Sequence, residues 1–228
     1  MRTAFKYIVT KEEYFVACTL TNKGGELSYN IFFISDMHFG HANMCKFVDY
    51  DGTRVRPFDS AEECDELMIQ NWNEMIKPTD KVYVLGDVSM NKNVADKIMP
   101  RLNGKKCLIR GNHDTFVLKW YALWFYDIRG CHNFESFLMT HVPVHPDSKS
   151  RFKMNIHGHL HRGYVYKHNK HGEITKIKDP WYRNVCVDAN DYKPIPYEQI
   201  QHEFSVYKQR GEIVLPPKMS KEQRMGEI

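Results

Sequence analysis

Five short, largely apolar runs in this chain each end in the same kind of polar block. Ile31-Phe32-Phe33-Ile34 stops at Ser35-Asp36-Met37-His38, Val82-Tyr83-Val84-Leu85 at Gly86-Asp87, and Cys107-Leu108-Ile109 leads into Gly111-Asn112-His113-Asp114. Phe137-Leu138-Met139 runs into Thr140-His141, and Met154-Asn155-Ile156 into His157-Gly158-His159-Leu160-His161. Apolar runs of strand length without alternation suit strands buried on both faces. Side chains leaving the carboxyl ends of neighbouring strands converge in space. The five blocks therefore point to one site.

The blocks share Asp, Asn and His, the oxygen and nitrogen donors that divalent metals prefer. Asp36 and His38, two residues apart, can turn to one cation once their strand has ended. Asp87 has two oxygens with about four lone-pair positions and is free to bridge two cations. Asn112 supplies a neutral carbonyl oxygen, and His141, His159 and His161 supply imidazole nitrogens. Gly86, Gly111 and Gly158 leave room for close backbone approach. Taken singly, each block is an ordinary solvated turn. In series after five strands, they describe a dinuclear metal site at strand ends.

Around the blocks, Ser60 to Ile76 reads as a helix. Ser60 and Glu63 form a capping box, Pro78 stops it, and Cys64, Leu67, Met68, Trp72, Met75 and Ile76 make its buried face. A short helix is expected from about Asn93 to Met99, and another from Phe116 to Phe125, whose aromatic residues read as core. Tyr164 to His168 and Glu173 to Lys178 read as a solvated basic hairpin, and Arg183 to Val187 as a last core strand. Arg2 to Leu20 reads as a β-hairpin or meander. Strands alternating with helices early, then strands without helices, predict two sheets with helices outside them.

Six cysteines without a C-x-x-C pair, three of them in apolar runs, read as reduced core residues of a cytoplasmic protein. Met1 to Thr10 lacks the apolar core of a signal peptide, and no stretch approaches the roughly 20 apolar residues of a membrane span. The net charge of +4 permits an anionic substrate without demanding nucleic acid.

In order and wording, Asp-x-His, Gly-Asp, Gly-Asn-His-Asp, a lone His and Gly-His-x-His resemble the calcineurin-like metallophosphoesterases. Ile34 to His41 and Ile109 to Asp114 look like the small single-domain bacterial and phage members. The resemblance implies an α/β fold, a four-layer αββα sandwich of two mixed β-sheets flanked by helices, with the metals at one edge. It covers about residues 31–200 of a single domain spanning 1–228, with a β extension over 1–30 and a peripheral tail over 208–228. It implies that Asp36, His38 and His161 bind one metal, that Asn112, His141 and His159 bind the other, and that Asp87 bridges. His113 would face the leaving group, oriented by Asp114. The family often continues Gly-Asp with a further Asp or Asn; Val88-Ser89-Met90 stands here instead.

The chemistry expected is attack on phosphorus by a hydroxide bridging two divalent ions about 3.5–4 Å apart, with His113 protonating the leaving oxygen. His41, Asn43 and Arg110 are further candidates for contact with a substrate phosphate. Mixed nitrogen and oxygen ligation suits Mn, Fe, Zn, Co or Ni, and manganese is the cation the resemblance implies. The substrate expected is a nucleotide or nucleic-acid phosphodiester. The alternatives are a phosphomonoesterase, including a protein phosphatase, and a non-catalytic scaffold that kept the fold.

Overall fold

The computed structural model describes residues 29–49 and 52–215. The hairpin expected within residues 2–20 and the tail beyond residue 215 lie outside the described residues. The elements run β1 (Ile31–Ile34), α1 (Ala61–Met75), β2 (Lys81–Val84), α2 (Lys92–Ile98), β3 (Lys105–Ile109) and α3 (Leu118–Tyr121). Then come β4 (Asp127–Arg129), β5 (Cys131–Phe134), β6 (Phe137–Thr140), β7 (Met154–His157), β8 (Tyr166–His168), β9 (Ile174–Lys178), β10 (Tyr182–Asn184), β11 (Ile195–Pro196) and α4 (Tyr197–Gln209).

These strands form two mixed sheets flanked by helices, as expected. The first has the order β11-β1-β2-β3-β4, with β1 to β4 parallel and β11 antiparallel. The second has the order β10-β7-β6-β5, with β5 antiparallel. β8 and β9 pair only with each other, as the basic hairpin predicted.

The unbroken apolar runs bury both faces of the first sheet. Phe32, Ile34, Val82, Val84 and Leu108 pack with residues of α1, α2 and α3. Their neighbours Ile31, Phe33, Tyr83, Leu85, Cys107 and Ile109 pack with Phe137, Met139, Met154 and Ile156 of the second sheet. Each such large apolar side chain contributes roughly 1.5–3 kcal/mol on full burial. Sandwiching the sheet between helices and a second sheet fixes where its strands end.

α1 begins as the sequence predicts. Ser60 accepts from the Glu63 N–H at 3.1 Å, while the Glu63 carboxylate reaches the Asp59 N–H at 3.0 Å, one residue outside the usual box. Its buried stripe includes Ile69, whereas Leu67 and Met75 are only half-buried. The helix expected over 116–125 is a single turn, α3. Its start at Val117 has no capping side chain, and Phe116, which packs on Trp120 and Tyr121, lies ahead of the turn. Trp120, Tyr121 and Phe125 are buried core, as read. Four elements were not anticipated. β4 and β5 are polar edge strands, β11 is a two-residue edge strand, and α4 starts behind Pro196 without a capping side chain.

Candidate metal centre

All five blocks meet at the carboxyl ends of the two sheets. Asp36 and His38 follow β1, Asp87 follows β2, and Asn112 and His113 follow β3; His141 follows β6, and His159 and His161 follow β7. The strand-end backbones are tied across the sheet. The Asp36 N–H donates to Gly86 O, the His38 N–H to Asp87 O and the Phe39 N–H to Val88 O, each at 3.0 Å. Ser89 donates its hydroxyl to Phe39 O at 2.7 Å and adds to this seam.

Donor atoms gather in two clusters. Asp36, His38 and His161 present one set within 4.8 Å of one another, and Asp87, His141 and His159 a second. Asn112 belongs with the second: its Oδ1 lies 2.7 Å from His141 Nε2 and 3.0 Å from His159 Nδ1. Asp87 Oδ2 sits between the clusters, 3.3 Å from His141 Nε2 and 3.6 Å from His38 Nε2. That is the placement a bridging carboxylate needs.

The donor set fits divalent cations. Asp36 Oδ2 takes donors from Ser35 Oγ, the His159 N–H at 2.8 Å and Cys186 Sγ at 3.1 Å. Asp36 Oδ1 and both ring nitrogens of His38 are buried with no hydrogen-bond partner. Buried polar atoms left this way cost free energy unless something meets them. His141 Nδ1 lies 2.7 Å from Leu85 O and can only donate to it, which leaves Nε2 as a lone-pair donor facing the cluster.

Backbone strain concentrates here. Nine described non-glycine residues have positive φ, and five of them are Asp36, His38, Asp87, His159 and His161. Such outliers persist only where surrounding structure over-determines them, and they cluster at functional sites. Close approach also explains two glycines. A Cβ on Gly111 would collide with the Asp87 carboxylate, and one on Gly158 with Ser35 Oγ and Asp36 Oδ2.

The electrostatics divide the site: burial favours neutral rings at His38 and His159, whereas at His141 and His161 burial is outweighed by neighbouring carboxylates, which raise both. Burial pushes His38 down to about 3, so its ring is neutral. Burial opposes ionisation of Asp87, but the His141 hydrogen bond and charge, the His113 N–H and His38 outweigh it and hold the carboxyl below its usual range. Burial lowers His159. Burial also disfavours charge on His161, yet Asp188 beside it outweighs that and raises it.

Of the remaining candidates, His113 is exposed at the rim, its N–H donating to Asp87 Oδ1 at 2.8 Å. Among the described residues no hydrogen bond joins Asp114 to the His113 ring. Its oxygens accept from the N–H groups of Asp87 (2.9 Å), Val88 (3.1 Å) and Gly111 (2.8 Å) and from the Tyr121 hydroxyl (3.4 Å). It braces two loops against each other, because a buried carboxylate beside several free amides is drawn to them first. A cavity of about 360 Å³ opens on the site, walled by His38, His41, His113 and His161 and by Met44, Phe47, Val55 and Met90. His41 therefore lines this cavity. Asn43 and Arg110 do not line it: Asn43 is exposed in the 3₁₀ turn Ala42–Cys45, and Arg110 donates to Asp114 O at 2.8 Å.

Sequence reasoning missed Asp188 and Arg56. Asp188 Oδ2 lies 2.6 Å from His161 Nδ1, and Arg56 Nε donates to Asp188 Oδ1 at 2.7 Å. Asp188 follows the apolar run Val185-Cys186-Val187, the same pattern as the five blocks, so a signal existed. Arg56 had none.

A family model described as calcineurin-like phosphoesterase matches residues 29–216. An uncharacterised protein of Methanocaldococcus jannaschii is 34% identical over 176 residues, 75% of this chain and 88% of its own length. The gene 66 protein of a Mycobacterium phage is 35% identical over 89 residues, covering 37% of this chain and 40% of that protein. Among solved structures, a protein of unknown function from Aquifex aeolicus aligns with a TM-score of 0.54 at 25% identity, covering 76% of this chain and 98% of the other.

Proposed function

The chain belongs to the calcineurin-like phosphoesterases, and from that premise we propose that it is a phosphodiesterase acting on a nucleotide or nucleic-acid type of diester. The family implies divalent metal ions and a phosphate-ester substrate. In this reading Asp36, His38 and His161 hold one cation, Asn112, His141 and His159 the other, and Asp87 is shared, with manganese the first choice. When bound, the pair neutralises phosphate charge and lowers the pKa of water enough to supply a nucleophile near neutral pH. His113 hands a proton from its ring to the leaving oxygen, a contribution typically worth about 10²–10⁴-fold. Asp114 holds the loops that carry Asp87 and His113.

The observation that carries the diester reading is the cavity wall. Met44, Phe47, Val55 and Met90 line it, and no Lys or Arg does among the described residues. Arg56 and Arg110 are committed to other partners. A monoester dianion asks for extra cations and brings no second organic group. A diester carries one charge and a second arm that an apolar wall can hold. A cytoplasmic setting is part of the same proposal: the described cysteines are all unpaired, and Cys45, Cys64, Cys107 and Cys186 are buried. No helix among the described residues is long and apolar enough to cross a membrane.

The test is a screen of metal-stripped protein reloaded with manganese against bis(nitrophenyl) phosphate, nitrophenyl phosphate, cyclic nucleotides and short oligonucleotides. Diester turnover at least tenfold above monoester turnover is expected. Equal or higher monoester turnover would reverse the assignment, and inertness toward every ester would favour a scaffold.

A further inference from the structure

We propose that Arg56 and Asp188 form a positioning pair that sets the metal affinity of the Asp36, His38 and His161 cluster and leaves the other cluster untouched. The inference rests on the metal reading above and adds two residues to it. Asp188 sits in the 3₁₀ turn Val187–Ala189, immediately after Cys186, whose backbone bridges Ser35 and whose thiol touches Asp36. A carboxylate can only accept, so at 2.6 Å from Asp188 Oδ2 the His161 Nδ1 carries the proton. The Nε2 lone pair is then free for the cluster. This is the carboxylate–histidine arrangement that fixes ring orientation and raises basicity at metal sites.

Arg56 completes the device from the other side. Its Nε donates to Asp188 Oδ1 at 2.7 Å, and its two terminal nitrogens donate to Met37 O at 2.7 Å and Asp36 O at 2.6 Å. Those carbonyls belong to the turn that carries Asp36 and His38, both at positive φ. One planar guanidinium thus holds the turn of the first block and, through Asp188, the imidazole of the last. The side chains of Arg56 and Asp188 are 2% and 0% exposed. An enclosed ion pair is a poor way to gain stability alone. Among the described residues neither side chain hydrogen-bonds or ion-pairs with the Asp87, Asn112, His141 or His159 side chains, so the effect is confined to one cluster.

The test is calorimetric titration of metal-stripped wild type, D188N and R56K with Mn²⁺, with ion content measured after gel filtration. Wild type is expected to take up two ions. D188N should keep one at wild-type affinity and bind the other 10- to 100-fold more weakly. R56K, which keeps charge but loses the fork, should weaken the same site less. Combined with H161A, D188N should add no further loss; combined with H159A, it should abolish tight binding. Two wild-type affinities in D188N would overturn the inference, as would equal weakening of both sites, the signature of a merely structural pair. If D188N does not fold, R56K carries the same comparison. A wild type that takes up no ion overturns the metal reading itself, whereas an unchanged D188N overturns the inference alone.

Discussion

Replacing Gly158 by alanine tests how tightly the two sheets close on the site. The new Cβ would meet Ser35 Oγ and Asp36 Oδ2 and would lie 2.8 Å from Ser35 Cβ, where ordinary contact begins at 3.4 Å. Ser35 Cβ alone would have to retreat by about 0.6 Å, and the nearer Ser35 Oγ and Asp36 Oδ2 by more, which is overpacking. Ser35 cannot shift by itself. It is fully buried, its hydroxyl oxygen lies 2.7 Å from Leu85 O, and its backbone is bridged to Cys186. The shift therefore passes into Asp36 and the end of β1. Overpacking of this kind costs about 1–3 kcal/mol, which for a chain of this length lowers Tm by roughly 2–12 °C. Misplacing a reacting group by about 1 Å costs on the order of 10² in rate, so a loss of roughly 10- to 100-fold is expected. Gly130→Ala is the matched control, because nothing lies within 4 Å of a Cβ there. Thermal and urea unfolding of the metal-free proteins, with diester turnover after reloading, give both readouts. G158A melting and turning over like G130A would refute the close-packing argument.

Three further outcomes follow from the same geometry. His113→Ala should slow alkyl esters far more than nitrophenyl esters; equal losses measured on the two would remove His113 from the proton transfer. Phe47→Ser and Met90→Ser should raise KM for bis(nitrophenyl) phosphate several-fold while leaving nitrophenyl phosphate nearly unchanged, and parallel changes would dissolve the apolar-wall reading. Burial pushes His157 down to about 4, so the native ring stays neutral while an unfolded histidine, near 6.5, takes up a proton. The stability from this site is fully present above pH 6.5 and is lost as pH falls toward 4, by up to about 3 kcal/mol. Urea titrations of metal-free protein at pH 4.5, 5.5 and 7 should therefore slope less steeply for H157Q than for wild type, and identical slopes would contradict it.

What was legible in the chain depended on how local its cause was. β1 announced itself because four consecutive apolar residues need cover on both faces, and it has it. α1 was readable because its cap and stripe lie within one window. α4 carries Tyr197, Ile200, Phe204 and Tyr207 at helical spacing, but three of the four are aromatic and its start has no capping side chain, so its signal was divided. β4 and β5 are edge strands whose pairing, not composition, makes them strands. The candidate metal residues were legible because each follows its own strand. The contacts of Asp114 were not, since two of the backbone amides it accepts from lie 26 and 27 residues away. Arg56 was least legible, because Asp188 lies 132 residues further along the chain.

The division of donors between the sheets has a consequence for how the molecule matures. Asp36, His38, Asp87 and Asn112 come from the first half of the chain, and His141, His159 and His161 from the second. In the proposed ligand assignment neither half would own a full coordination set, so cation capture would wait until both sheets have docked. Uptake of a coloured ion such as Co²⁺ would then serve as an optical clock for the last step of folding, and a ribosome-bound fragment ending before His141 would stay colourless.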